Sequence, residues 1–585
     1  MPTTSSSHAW KFPTSPRSPY KLKGDLIQLR KLEGQIYNTN LQIEYAKLLS
    51  ESSNFAGMAK NDPAFSGRDR LRGLRILGLV NVPESSRYEH KLKLTEAGNY
   101  FAECSDAEDE YLFERQIAKV QFKSPLHDDV NHDFMDIRPL TLIIKILMEV
   151  ESLTKDEFAL YGITTVKGSN VDRTISEINS YREKRKKVDS GIARKEHFET
   201  TKIGKLSEIY KNEIAVGNTR LREGGSNFLK TKWQTLRDYA DSSMRYLVAT
   251  GLLTINQRGQ RIELTKGRVE DAKFLLTEYG INNDKNVNLS YDNFINNYLG
   301  SLSSLKIRKD NERTILEDFN RIILDNNFSH SNEVSAYQEE FKKANSNALK
   351  LGVLSKLEIV VREKNLKDQG KRIKLNLKNE LEDIVEVFKK IIDRRSDILD
   401  KPLMLEWNSW RAFEFINDAI EVRGNFLADS DGNPTRTAAG QRPDIIIEYE
   451  SFWLVVEVTL QSGYRQYESE GNPIIRHLGT KLKENIQAND QRPIYGIFIA
   501  QTINPEVVSY LFSEAWRVNQ VWGGAVRFLP IEISQFINFL NNISNSNNFN
   551  HTIFNDLLKK IFAANNKNLG EIDWINESIK TLARL

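Results

Sequence analysis

The chain has 585 residues, 39% of them hydrophobic and 28% charged, with a formal net charge of +3. That length predicts three or four domains, each able to build its own core, and the composition is that of a globular protein. A single cysteine, Cys104, excludes a disulfide framework and any cysteine-based zinc site, and the eight histidines show no ligand spacing. The opening MPTTSSSHAWKF lacks the apolar run of a signal peptide, and stretches such as PLTLIIKILMEV (139–150) are too short to span a bilayer. The expectation is a cytoplasmic protein with no membrane contact.

Charge is unevenly placed along the N-terminal half. Residues 1–100 carry 15 Lys and Arg against 9 Asp and Glu, residues 101–150 carry 5 against 11, and residues 201–270 carry 13 against 7. The two basic segments also resemble each other. In 70–101 and again in 243–274, a helix-like pattern ends in Gly-Leu (Gly78-Leu79, Gly251-Leu252). A short apolar pair, a polar turn and an alternating strand closing at Leu-Thr (Leu94-Thr95, Leu264-Thr265) follow. Helix, glycine cap and hairpin in this order predict the wing half of a winged helix, twice.

The helix before the first hairpin, FSGRDRLRGLRILGL (65–79), sets Arg68, Arg72 and Arg75 at i, i+4 and i+7, with Leu71, Leu74 and Leu79 on the buried side and Ser66 as its cap. Arginines on one exposed helix face suit guanine edges and phosphates. With Arg70 they form the candidate DNA-binding set of the first module, and Lys230, Lys232 and Arg237 form that of the second. A merely solvated charged face is the plainer alternative. The expected layout is a DNA-recognition region over 1–285, with modules at about 20–130 and 200–285, then a polar helical linker over 286–398 and a C-terminal α/β domain over 399–585.

In that last region DIIIEY (444–449) and WLVVEVTL (453–460) read as strands. A tight turn at Glu450-Ser451 pairs residues whose numbers sum to 901, which sets Asp444 opposite Glu457. Cross-strand partners share a face, with Cβ atoms about 4.5–5.5 Å apart. Two carboxylates so close repel by roughly 4 kcal/mol at an effective dielectric of about 20. Sheet packing offers nothing against this, whereas a divalent cation does, and magnesium is the hard ion that takes one or two carboxylates and keeps waters for a phosphate substrate. Asp444 and Glu457 are therefore the candidate metal ligands. The alternative places one acid on the solvent face or against Arg442.

Pro443-Asp444 followed by Glu457-Val458-Thr459 resembles the PD-(D/E)XK nuclease superfamily. A closer resemblance, covering nearly the whole chain, is to the AlwI-type family of type IIS restriction endonucleases and their nicking relatives. It is carried by SPRSP (15–19), FSGRDR (65–70), EWNSW (406–410), AAGQRPD (438–444), VEVT (456–459) and ESEGNPIIRH (468–477). The resemblance implies a multidomain fold. A largely α-helical N-terminal region with winged-helix modules precedes a helical linker and a restriction-endonuclease-like α/β domain with a mixed sheet flanked by helices. It implies a magnesium-dependent enzyme that binds a short asymmetric site in double-stranded DNA and hydrolyses phosphodiesters a few nucleotides to one side. It also implies a catalytic role for Glu406 and, within ESEGNPIIRH, for Glu468 and His477.

Thr459 departs from the superfamily, whose usual lysine at this place orients or deprotonates water. Threonine carries no charge and is no base at neutral pH. His477 is the candidate replacement, Glu468 could hold its imidazole or a second metal, and Lys481, one turn on, could restore the charge. The family holds both double-strand cutters and nickases, so a second subunit or transient self-association is the expected partner for cutting a second strand. Two readings compete: a sequence-specific DNA-binding protein whose nuclease-like domain is inactive, and an RNA-processing enzyme. The second is disfavoured because no exposed aromatic pair for stacking bases is evident.

Overall fold

The computed structural model describes the chain apart from residues 1–7, 53–61, 83–89, 107, 127–133, 189, 216–224, 257–258, 329–330, 394–395, 397, 417, 430, 439–441, 547–548 and 585. It forms two compact units, Met1–Arg362 with Asp429–Asn433, and Glu363–Ala428 with Pro434–Leu585. Among the described residues no helix is long and apolar enough to cross a membrane.

In the first unit, helices Leu22–Arg30, Thr39–Ser50 and Pro63–Ile76 precede the antiparallel pair β1 (Val80–Asn81) and β2 (Lys93–Leu94), with Val80 opposite Leu94. A bridge between Ile36 and Lys91 adds a third short extended segment. Later, β3 (Ser152–Thr154) joins β4 (Leu253–Ile255) and β5 (Arg261–Leu264) in the order β3-β5-β4, all antiparallel, after the helix Gly225–Val248. The two hairpins share their local geometry. Gly78 and Gly251 end the preceding helices with φ of 65° and 67°, a conformation that costs a residue with a Cβ, and so needs glycine. The backbone N–H of Thr95 donates to Leu79 O at 3.2 Å, and that of Thr265 to Leu252 O at 3.0 Å. The polar turns at 83–89 and 257–258 lie outside the described residues.

The acidic segment 101–150 is partly an interior counter-charge. Glu114 and Asp271 each lie 2.5 Å from the Arg268 guanidinium, and Glu110 lies 2.8 Å from that of Arg362. The polar stretch from 286 to 398 forms helices Glu312–Asp325, Asn332–Lys343, Asn347–Leu375 and Leu377–Ile392. The first three build a small core around Ile315, Phe319, Val334, Phe341, Leu354 and Leu357. The division between the units falls within the third of them, between Arg362 and Glu363.

The second unit is built on a five-stranded sheet. In chain order its strands are β6 (Glu421–Gly424), then, after the small pair β7 (Leu427–Ala428) and β8 (Pro434–Arg436), β9 (Ile445–Glu448), β10 (Trp453–Thr459), β11 (Ile494–Ala500) and β12 (Phe528–Glu532). The spatial order is β12-β11-β10-β9-β6. β12, β11 and β10 run parallel, whereas β9 is antiparallel to both β10 and β6. Alternation along β10 separates two cores. Leu454 and Val456 pack with Ile445, Ile447 and Trp410, while Val455 packs with Ile474, Leu478 and Phe498. Helices on both faces leave the ends of β9 and β10 to carry polar groups.

Candidate active site

The pairing of β9 with β10 sets Trp453 against Glu448 and Val456 against Ile445, the register in which residue numbers sum to 901. Asp444 immediately precedes Ile445, the first residue of β9, and its Oδ2 accepts the backbone N–H of Val458 at 2.8 Å. Asp444 and Glu457 thus fall on the face of Val455. Glu457 is 7% exposed. Burial first, and the Glu457 charge second, push the Asp444 carboxyl well above the usual range. Glu457 is likewise raised by burial and by Glu470, and Arg476 acts in the opposite sense.

Glu406 lies on the buried helix Lys401–Ile416, and its Oε2 accepts the N–H of Ala438 at 2.8 Å. Its carboxyl is held well above its ordinary value by burial and then by the charge of Asp444. The next residues of the AAGQRPD segment, 439–441, lie outside the described residues.

The helix after β10 spans Tyr464–Gln487 and carries Pro473 in its interior, so all of ESEGNPIIRH is helical. That decides which acids face the sheet. At about 100° per residue, Glu470 stands seven residues from His477 and shares its face, whereas Glu468 stands nine away on the opposite side. Accordingly Thr459 Oγ1 donates to Glu470 Oε1 at 2.9 Å, and His477 Nδ1 lies 2.7 Å from Glu457 Oε1. Glu468 is exposed. Burial raises the Glu470 carboxyl, against the Thr459 hydroxyl and His477, which lower it. Glu470 is the site residue that sequence reasoning missed, although the i, i+7 spacing to His477 was the available signal. Lys481 does not reach this group: its Nζ sits 3.6 Å from the centre of the Trp453 ring, at the other end of β10.

Four carboxylates, Glu406, Asp444, Glu457 and Glu470, therefore influence one another around the ends of two strands, with one imidazole on Glu457. Among the described residues no three or more His, Cys, Asp or Glu are gathered into a ready-made metal cage. Magnesium does not demand one, since it binds through one or two carboxylates and completes its shell with water and phosphate oxygens. The donor set, hard oxygens whose mutual repulsion a cation relieves, suits such an ion.

A family model for the AlwI restriction endonuclease matches residues 76–539. The chain belongs to the AlwI restriction endonuclease family. The family is one of DNA endonucleases, and DNA is therefore what this chain binds and cuts. No curated protein matches the chain. Among solved structures, the small subunit (R.BspD6I2) of the heterodimeric restriction endonuclease R.BspD6I is similar at 22% identity, over 34% of this chain and 97% of that one, with a TM-score of 0.28.

Of the residues expected to meet DNA in this endonuclease, Arg68 and Arg72 leave 40% and 52% of their side chains exposed, Arg75 is half-buried, and Leu71, Leu74 and Leu79 are buried as predicted. Arg70 is instead interior. It is 7% exposed, with its guanidinium 2.5 Å from the fully buried Asp25. The helix begins at Pro63 with Asp62 as its cap, accepting the Phe65 N–H at 2.9 Å, so Ser66 lies inside it. In the second module Lys230 is exposed, Lys232 lies over the rings of Tyr210 and Phe228 at 5.1 and 5.3 Å, and Arg237 Nε pairs with Asp156 at 2.9 Å.

Proposed function

We propose that the chain is a magnesium-dependent, site-specific endonuclease of the type IIS kind, which reads a short asymmetric sequence with winged-helix modules and cuts to one side of it. The convergence of Asp444 and Glu457 at the ends of β9 and β10 carries this reading. Asp444 and Glu457 would hold the ion. Once bound, magnesium polarises the scissile phosphate and lowers the pKa of an attacking water.

The rest of the work falls to the chain's own groups. His477, with Nδ1 2.7 Å from Glu457 Oε1, holds the Glu457 carboxyl in one orientation. Thr459 stands where the superfamily has lysine and directs Glu470 instead. Glu470 and His477 flank Glu457 and are the groups able to take the water's proton. Glu406 adds negative charge beside Asp444 and strengthens the demand for a cation. Readout is assigned to the face of Arg68, Arg72 and Arg75, with phosphate contacts dominating affinity. Among the described residues there is one such cluster, and it attacks one strand per visit. Cutting the second strand calls for a second copy or a separate subunit.

Supercoiled plasmid incubated with magnesium, followed by end-mapping, tests the reading. Ends should fall at a fixed offset from one recurring sequence. Asp444→Ala and Glu457→Ala should abolish cleavage while DNA binding persists. Undiminished cutting by either variant would end the proposal.

A further inference from the structure

Helices Val171–Lys186 and Gly191–Ile209 form an antiparallel hairpin in the first unit. Its register is fixed by Arg173 against Glu208 at 2.8 Å, Lys205 against Glu177 at 2.7 Å, and the Tyr181 and His197 rings stacked 5.5 Å apart. In this half the cations are neutralised. Arg173 also meets Glu177 at 2.8 Å, and Arg182 meets the buried Glu157 at 2.7 Å.

The half nearer the turn differs. Residues 184–195 hold six Lys and Arg against one acid. Lys184, Arg185, Lys186, Lys187, Arg194 and Lys195 are all exposed. Lys186 pairs with Glu183 at 2.9 Å, whereas among the described residues Lys184, Arg185, Lys187 and Lys195 form no ion pair.

Helix-end electrostatics explain only part of this. Cations in the last turn of the first helix are favoured by its dipole. Arg194 and Lys195 sit at the head of the second helix, capped by Ser190 at 3.1 Å, where the same dipole disfavours them. Local structure compensates two of the six cations, through Glu183 on Lys186 and through the Arg194 Nε–H donated to Val188 O at 3.0 Å. Lys184, Arg185, Lys187 and Lys195, which form no ion pair among the described residues, still repel one another. A polyanion relieves that repulsion, and duplex DNA presents one negative charge per roughly 1.7 Å of its axis.

We propose that the tip of this hairpin is a sequence-indifferent DNA-binding site, which grips backbone phosphates outside the bases read by the arginine-bearing helix. The proposal rests on the family's action on DNA. It is tested by replacing Lys184, Arg185, Lys187 and Lys195 with glutamine, a residue of similar helix propensity. Binding of the full chain to a fluorescein-labelled duplex of mixed sequence is then followed by anisotropy across a potassium chloride series. The slope of log affinity against log salt should fall by about 0.9 for each phosphate no longer neutralised, so by roughly 3 to 4 for four of them. The variant Lys184→Arg, Lys187→Arg, Lys195→Arg should keep the parent slope.

Equal slopes for the parent and the glutamine variant, with circular dichroism unchanged, would overturn the proposal while leaving DNA binding in place. A weakening confined to cleavable sites, sparing the mixed-sequence duplex, would overturn it too, since that is base readout. A parent chain that binds no duplex would remove both the proposal and the reading beneath it.

Discussion

Glu470 and Glu468 differ by two positions and by half a turn of helix, and that decides which can act at the site. Glu470 meets Thr459 at 2.9 Å and raises the Glu457 carboxyl, whereas Glu468 is exposed on the far side. Glu470→Gln should therefore lower the plasmid cleavage rate by roughly 10²-fold or more, the scale of a missing acid–base group. Glu468→Gln should leave it within about twofold, as expected of a surface change. Initial rates of supercoil loss at saturating magnesium separate the two, and equal losses would reverse the assignment. Of the site itself, Asp444 and Glu457 were legible because strand alternation and a tight turn fix a register from sequence alone. Glu470 was not, because Pro473 reads as a helix boundary when it is in fact interior to Tyr464–Gln487. Arg70 was misplaced for a different reason. Helical spacing says which residues share a face, but not that Asp25 waits in the interior for one of them.

The elements that alternate or repeat were the readable ones. Strands β9 and β10, and the strands that close both Gly-Leu hairpins, lie within a residue or two of expectation, whereas the loop between β7 and β8 gave no sign of its role. Asp429 opens that loop, is 3% exposed, and accepts the N–H groups of Asp431 and Asn433, each at 2.9 Å, and the Thr254 hydroxyl. Burial pushes its carboxyl up to about 6. A group whose folded pKa exceeds its unfolded value contributes stability that is fully present below the unfolded value and is lost as pH rises through the folded one. The relevant window for Asp429 thus runs from about 4, the unfolded value, to about 6. Asp429→Asn keeps an acceptor for the two N–H groups and removes the titration. Its thermal midpoint should fall less than the parent's between pH 4 and pH 6 in matched buffers, and parallel curves would show that Asp429 does not titrate in that window.

At the scale of the whole molecule, the chain brings one cluster around Asp444 and Glu457 to a substrate with two strands. On the function proposed above, this cluster cuts one strand, and the second strand calls for a second copy or a separate subunit. Open circles should therefore accumulate before linear plasmid at every enzyme concentration. If a second copy supplies the second cluster, the rate of linear product should rise more steeply than in proportion to enzyme, while the rate of the first nick rises in proportion. A gel time course over a wide enzyme range measures both orders at once. Mixing the active chain with Asp444→Ala sharpens the measurement, because a catalytically dead copy should still nick nothing itself and should suppress linear product more than open circles. Linear DNA formed without an open-circle phase, at first order in enzyme, would mean that one chain cuts both strands in a single visit.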